Sequence, residues 1–184
     1  MASYHGYAYT SARSITQQIN ITDMKKTIKK VTITKVYGIL NTAKLSKCPT
    51  QVRRAVFGAM YPMKAVAGEC ADYEREAAKR LQPEDYQAVV DVINEFNAMS
   101  PTDREEAVKQ SKYMNALKAN FDFNREVNKC VDEYLAEDVE LDFAPLTDEA
   151  FDALCESNPD WTLGQCMELQ DVLCGTRKEE GGKE

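Results

Sequence analysis

A chain of 184 residues with 43% apolar and 29% charged side chains can build one core and solvate it, which excludes wholesale disorder and leaves too little chain for two independent cores. No run of about 18 apolar residues occurs, and no basic stretch followed by an apolar segment opens the chain, so neither a membrane span nor a secretory signal is expected and the reading is cytoplasmic. The net charge of -7 conceals a segregation: Met1 to Val66 holds eleven Lys or Arg against the single acid Asp23, giving +10, and the remainder holds twelve against twenty-nine, giving -17.

Residues 1–23, rich in Ser, Thr and Tyr and without a sustained period, read as a flexible tail. Met24 then opens MKKTIKKVTITKVYGIL, a second candidate start for the chain; mass spectrometry of the native protein beginning at Met1 would remove that candidate. The β-branched stretch 29–33 reads as a short strand, and Val139, Leu141 and Phe143, alternating with Glu140 and Asp142 before Pro145, read as a second. A lone strand leaves backbone groups unpaired, so the two are expected to pair with each other.

Helix is expected between them. Thr34 to about Lys47 places Val36, Tyr37, Leu40 and Ala43 on one face. A long helix over 49–81 carries the seam Val52, Val56, Ala59, Met63, Val66, Cys70, Tyr73 and Ala77, with a kink or break expected near Pro62. Pro83 to Met99 forms a third helix. Ser100, Pro101 and Asp103 mark the start of a second long helix, 101–137, whose seam is Ala107, Gln110, Met114, Leu117, Phe121, Asn124, Asn128, Val131 and Leu135. The competing rotation, which turns Phe123, Val127, Cys130 and Tyr134 inward and leaves both asparagines at the boundary, is favoured. Thr147 caps a short helix with Leu146 placed to pack on Phe151, and Thr162 with Gln165 has capping-box spacing for a last helix ending at Gly175. The fold class expected is thus mainly α, with two long helices, shorter helices and a minor two-stranded sheet. Residues 24–175 form a single helical domain in this reading and 176–184 a disordered tail.

Chemistry is scarce in this pattern. His5 is the only histidine, the six cysteines lack zinc spacing and are expected as reduced, buried thiols, and no glycine-rich phosphate loop or G-x-S-x-G motif occurs. No catalytic residue, cofactor site or metal site is therefore assigned, and the chain is read as not an enzyme. The one electrostatic footprint is basic: Lys25, Lys26, Lys29, Lys30, Lys35, Lys44, Lys47, Arg53 and Arg54. Packing of this segment beside the acidic part is favoured over a free polar face. Trp161 is either a plug over the core, the preferred reading, or an exposed partner anchor.

The cadence VELDFAPLTDEAFDALCESNPDWTLGQCMELQDVLCG, following KAVAGECADYEREAAKRL, resembles small uncharacterised proteins of phages and prophages from gut bacteria related to Bacteroides. The resemblance covers about residues 24 to 175 and implies a mobile-element setting, in which assembly factors and host-protein inhibitors are common. The expected function is a non-catalytic protein–protein interaction factor with an unidentified protein partner, with Lys25, Lys26, Lys29, Lys30, Arg53, Arg54 and Trp161 as candidate contacts. A homo-oligomer through the long helices stays open, and nucleic-acid binding through 25–54 is the alternative.

Overall fold

The computed structural model describes residues 24–175, so the expectations for 1–23 and 176–184 lie outside the described residues. The protein is mostly helical with one two-stranded antiparallel sheet. In chain order the elements are β1 (Met24–Lys29), α1 (Lys30–Asn41), α2 (Thr50–Leu81), α3 (Tyr86–Ala98), α4 (Pro101–Ala107), α5 (Ser111–Leu135), β2 (Asp138–Phe143), α6 (Asp148–Ser157) and α7 (Leu163–Leu173).

The two strands do pair, from Met24 opposite Phe143 to Lys29 opposite Asp138, but the first begins earlier than the expected 29–33. Val31, Thr32 and Ile33 belong to α1 instead. Ile33, Val36 and Leu40 are almost fully buried, and this helical spacing outweighs the β-preference of single side chains. One face of the sheet carries Ile28, Leu141 and Phe143 into the core, while Lys25 and Lys29 oppose Asp142 and Asp138 on the other. Like charges at those positions would repel; these attract.

The helix α2 runs through Pro62 unbroken, so of the kink or break expected there the break does not occur. Proline removes the hydrogen bond to the carbonyl of Gly58, which lies on the exposed side where water can replace the donor, while Ala59 and Met63 anchor the inner side at 0% exposure. The expected helix 101–137 is divided, by contrast, into α4 and α5 at residues 108–110. Ala107 and Tyr113 are both buried, yet six residues apart on one straight helix would point about 120° away from each other. The turn at 108–110 brings both inward. The cap at Ser100 forms as expected, its hydroxyl accepting from the Asp103 amide at 3.2 Å.

The main core joins α1, the first two-thirds of α2, the sheet, α6 and α7, with Ile33, Val36, Val56, Ala59, Met63, Leu154, Leu169 and Leu173 at 0% exposure. Each large apolar side chain so buried contributes about 1.5–3 kcal/mol. Leu146 and Phe151 lie in this core, Thr147 caps α6, and the Thr162–Gln165 capping box closes in both directions. Beyond Cys70 the molecule thins: α5 packs on α2, and α3 packs on α5 through Tyr86–Phe123 and Phe96–Tyr113 ring contacts without burying any residue of its own. No described helix is long and apolar enough to cross a membrane.

Candidate protein-binding surface

Most of the basic segment is engaged within the chain. Lys25 pairs with Glu140 at 2.9 Å, Lys30 with Glu137 at 2.6 Å, Lys35 with Glu168 at 3.6 Å and Lys44 with Asp160 at 2.6 Å. The Lys26 ammonium donates to the Asp171 carbonyl and, at 3.4 Å, to that of Val172, in the last turn of α7 where the helix dipole is negative. Burial lowers its pKa below the ordinary lysine value. The basic and acidic parts of the described chain thus meet inside one molecule. Of the candidate contact residues, Lys29 and Arg54 stay exposed, Arg53 is half-buried with its guanidinium donating to the Thr50 hydroxyl at 3.0 Å, and Trp161 packs on the core as a plug.

Lys30 is the deepest of these cations. Its ammonium lies 3.4 Å from the centre of the Tyr134 ring, which in turn stacks on Tyr73 at 3.9 Å, so one charge ties β1 and α1 to α2 and α5. Burial alone would depress the Lys30 pKa; hydrogen bonds to Glu137 and Tyr134 outweigh it and hold the value above that of an ordinary lysine. The stabilisation by this charge is therefore complete below the unfolded lysine value of about 10.4 and is lost as pH rises through the higher folded value. Lys30→Met, which keeps the stem, is expected to destabilise the protein by about 1–2 kcal/mol near neutrality. Urea titrations of both proteins should show that difference closing only at strongly alkaline pH; a pH-independent difference would assign it to packing.

The outer side of α2 is different in kind. Opposite its buried residues lie Arg54, Gly58, Tyr61, Ala65, Gly68 and Asp72, at alternating spacings of four and three, with Phe57 and Lys64 beside them. All are exposed, Phe57 to 59% and Tyr61 to 83%. Farther along, the outer positions become Asp72, Arg75, Glu76 and Lys79, the composition of a solvated helix face. A Cβ at Gly58 or Gly68 would meet nothing within 4 Å. Each glycine nevertheless costs about 1 kcal/mol relative to alanine in mid-helix. No contact among the described residues requires either one.

Other surface features are weaker. A 650 Å³ depression is lined by Phe121, Asn124, Arg125, Asn128, Lys129, Asp132 and Glu133, all from α5, so no second element encloses it. This is the outward face of α5: Asn124 and Asn128 are exposed, while Val127 is buried and Phe123, Cys130 and Tyr134 are half-buried. The inward rotation of that second set is the one adopted. On α7, Leu163 and Met167 are exposed one turn apart. The six cysteines are free thiols; Cys48, Cys70 and Cys174 are buried, and Cys155 and Cys166 approach to 4.0 Å. Burial, with Cys166 beside it, pushes the Cys155 thiol up to about 12, which makes it a poor nucleophile. Among the described residues no group of three or more His, Cys, Asp or Glu is placed to hold a metal ion.

Sequence reading finds the inner seam of α2 and passes over the outer one. The signal is present in Phe57, Tyr61 and the two glycines, which fall between the positions of the inner seam at the same spacings. Comparison with protein-family models, with curated proteins and with solved structures returns no match.

Proposed function

We propose that this chain is a non-catalytic protein-binding factor that docks through the outer side of α2, from Arg54 to Gly68. The observation that carries this reading is the exposure of Phe57 and Tyr61 one turn apart, on a helix whose continuation carries charges at the equivalent positions. Exposed aromatics of this kind supply rigid contact area at small entropic cost, and they are enriched where binding energy concentrates. The setting, an accessory factor of a phage or mobile element acting as an assembly factor or host-protein inhibitor, rests on the resemblance alone.

The alternative, nucleic-acid binding through residues 25–54, draws on a footprint in which Lys25, Lys30, Lys35 and Lys44 are already paired with Glu140, Glu137, Glu168 and Asp160. A pull-down of the tagged full chain from bacterial lysate to which the untagged chain has been added, with and without nuclease, separates the two. Nuclease-resistant protein retained by the wild type and lost by Phe57→Ser/Tyr61→Ser is the expected result. Recovery of nucleic acid, released steeply by salt and unaffected by that double substitution, would replace this reading with the alternative.

A further inference from the structure

We infer that the occupant of this face is a second copy of the same chain, with α2 packed antiparallel on α2 of the other copy about a two-fold axis at the level of Met63. The inference rests on the protein-binding reading above and specifies the partner. Arg54, Gly58, Tyr61, Ala65, Gly68 and Asp72 form three pairs equidistant from Met63: Tyr61 with Ala65, Gly58 with Gly68, and Arg54 with Asp72. A two-fold axis perpendicular to the helix brings each residue opposite its mate on the other copy, so the same patch serves both sides. The alternating spacing is that of a helix–helix seam in which successive layers face the partner.

Each layer fits that arrangement. At the centre, Tyr61 of each copy lies over Ala65 of the other, large side chain against small, which covers the most exposed aromatic side chain on this helix. On either side, Gly58 meets Gly68, and two residues without side chains let the backbones approach to the short end of the usual interaxial range, about 8 Å. A single methyl at Ala65 keeps that close approach open in the central layers, where the tyrosine ring supplies the contact area. The pairing accounts for two mid-helix glycines that no contact among the described residues requires. At the ends, Arg54 reaches Asp72 of the other copy. Asp72 bonds Arg75 at 2.5 Å but is still 67% exposed, so it can accept a second cation. Phe57, one position off the seam, meets the flank near Ala71.

Charge also decides the orientation. A parallel pair would set Arg54 against Arg54 and Asp72 against Asp72, whereas the antiparallel pair sets opposite charges together at both ends. Arg53 and Arg54 then run beside the stretch that holds Glu69, Asp72, Glu74 and Glu76, with Arg75 the one cation among them. Lys64 alone falls near its own counterpart, with a long exposed stem free to turn away.

Sedimentation analysis of the full chain, wild type and charge-swapped, tests this arrangement. The wild type is expected to dimerise at tens of micromolar. Arg54→Asp and Asp72→Arg should each weaken the dimer by about ten- to hundred-fold, since each change replaces two attractive contacts with two repulsive ones. The double swap should restore it, because the opposite pairs are re-formed. Circular dichroism of each variant keeps loss of folding apart from loss of association. A monomeric wild type overturns the inference, as does a dimer indifferent to both single swaps, which is the mark of a parallel pair, where like charges stay opposed before and after each swap. If the wild type is monomeric while Phe57→Ser/Tyr61→Ser still abolishes capture of another protein, the protein-binding reading stands and self-pairing falls.

Discussion

Leu154→Ala is expected to lower the unfolding free energy by about 3–4 kcal/mol, a large fraction of the roughly 5–15 kcal/mol typical of a small domain. Leu154 is at 0% exposure in the core that joins α1, α2, the sheet, α6 and α7. Its neighbours are held on several sides. Asn158, also buried, donates to the Leu154 carbonyl at 2.8 Å and accepts from the Lys44 amide at 2.6 Å, which fixes the end of α6 to the loop after α1. Surroundings so tethered cannot collapse into the space left by an isobutyl group, and the cost therefore includes the cavity as well as the lost transfer energy. Leu163→Ala provides the control, because Leu163 is 77% exposed and the same chemical change should move stability by no more than about 0.5 kcal/mol. Denaturant midpoints at constant slope measure both. Equal losses for the two leucines would mean that the core is centred elsewhere.

The second large effect is local. The α3 helix buries none of its residues and is attached chiefly to α5, through two aromatic contacts, the Tyr86 hydroxyl on Asn120 at 2.7 Å, and Glu95 holding Lys112 and Tyr113 at 2.6 Å each. A helix so attached opens without the rest of the fold. Native-state hydrogen exchange is expected to show α3 amides protected about a hundredfold or more less than those of α1 around Ile33 and Val36. Phe96→Ala should speed exchange in α3 while leaving α1 unchanged. Acid should have the same selective effect. The hydrogen bonds from Lys112 and Tyr113 hold the Glu95 carboxyl below its ordinary range, so its stabilisation is full above the unfolded value of about 4.3 and is lost as pH falls through the lower folded value. Uniform protection across α1 and α3 would mean that the helices open together.

Periodicity made the inner face of α2 readable before any coordinates, since Val52, Val56, Ala59, Met63, Val66, Cys70 and Ala77 are its buried residues. The caps at Ser100, Thr147 and Thr162 were equally legible, because each depends on residues within three positions of one another. Features set by distant packing were harder to read. Whether Val31 and Thr32 extend a strand or start a helix depends on what Ile33 meets across the core, and the turn at 108–110 depends on where Tyr113 finds Glu95. The candidate surface falls between these cases. Its residues have a plain helical spacing, but only the burial of the opposite side turns Phe57, Tyr61 and the glycines from a second seam into an exposed one.

Hydroxyl-radical footprinting of Phe57 and Tyr61 tests that surface most directly, with Phe121, 66% exposed on α5, as an internal reference. In the isolated chain at high dilution all three should oxidise readily. In the assembled protein, whether self-paired or captured with another protein, Phe57 and Tyr61 are expected to become protected while Phe121 continues to react. If Phe57 and Tyr61 oxidise as fast as Phe121 in every state, the outer side of α2 is an ordinary solvated face and the proposed function is contradicted.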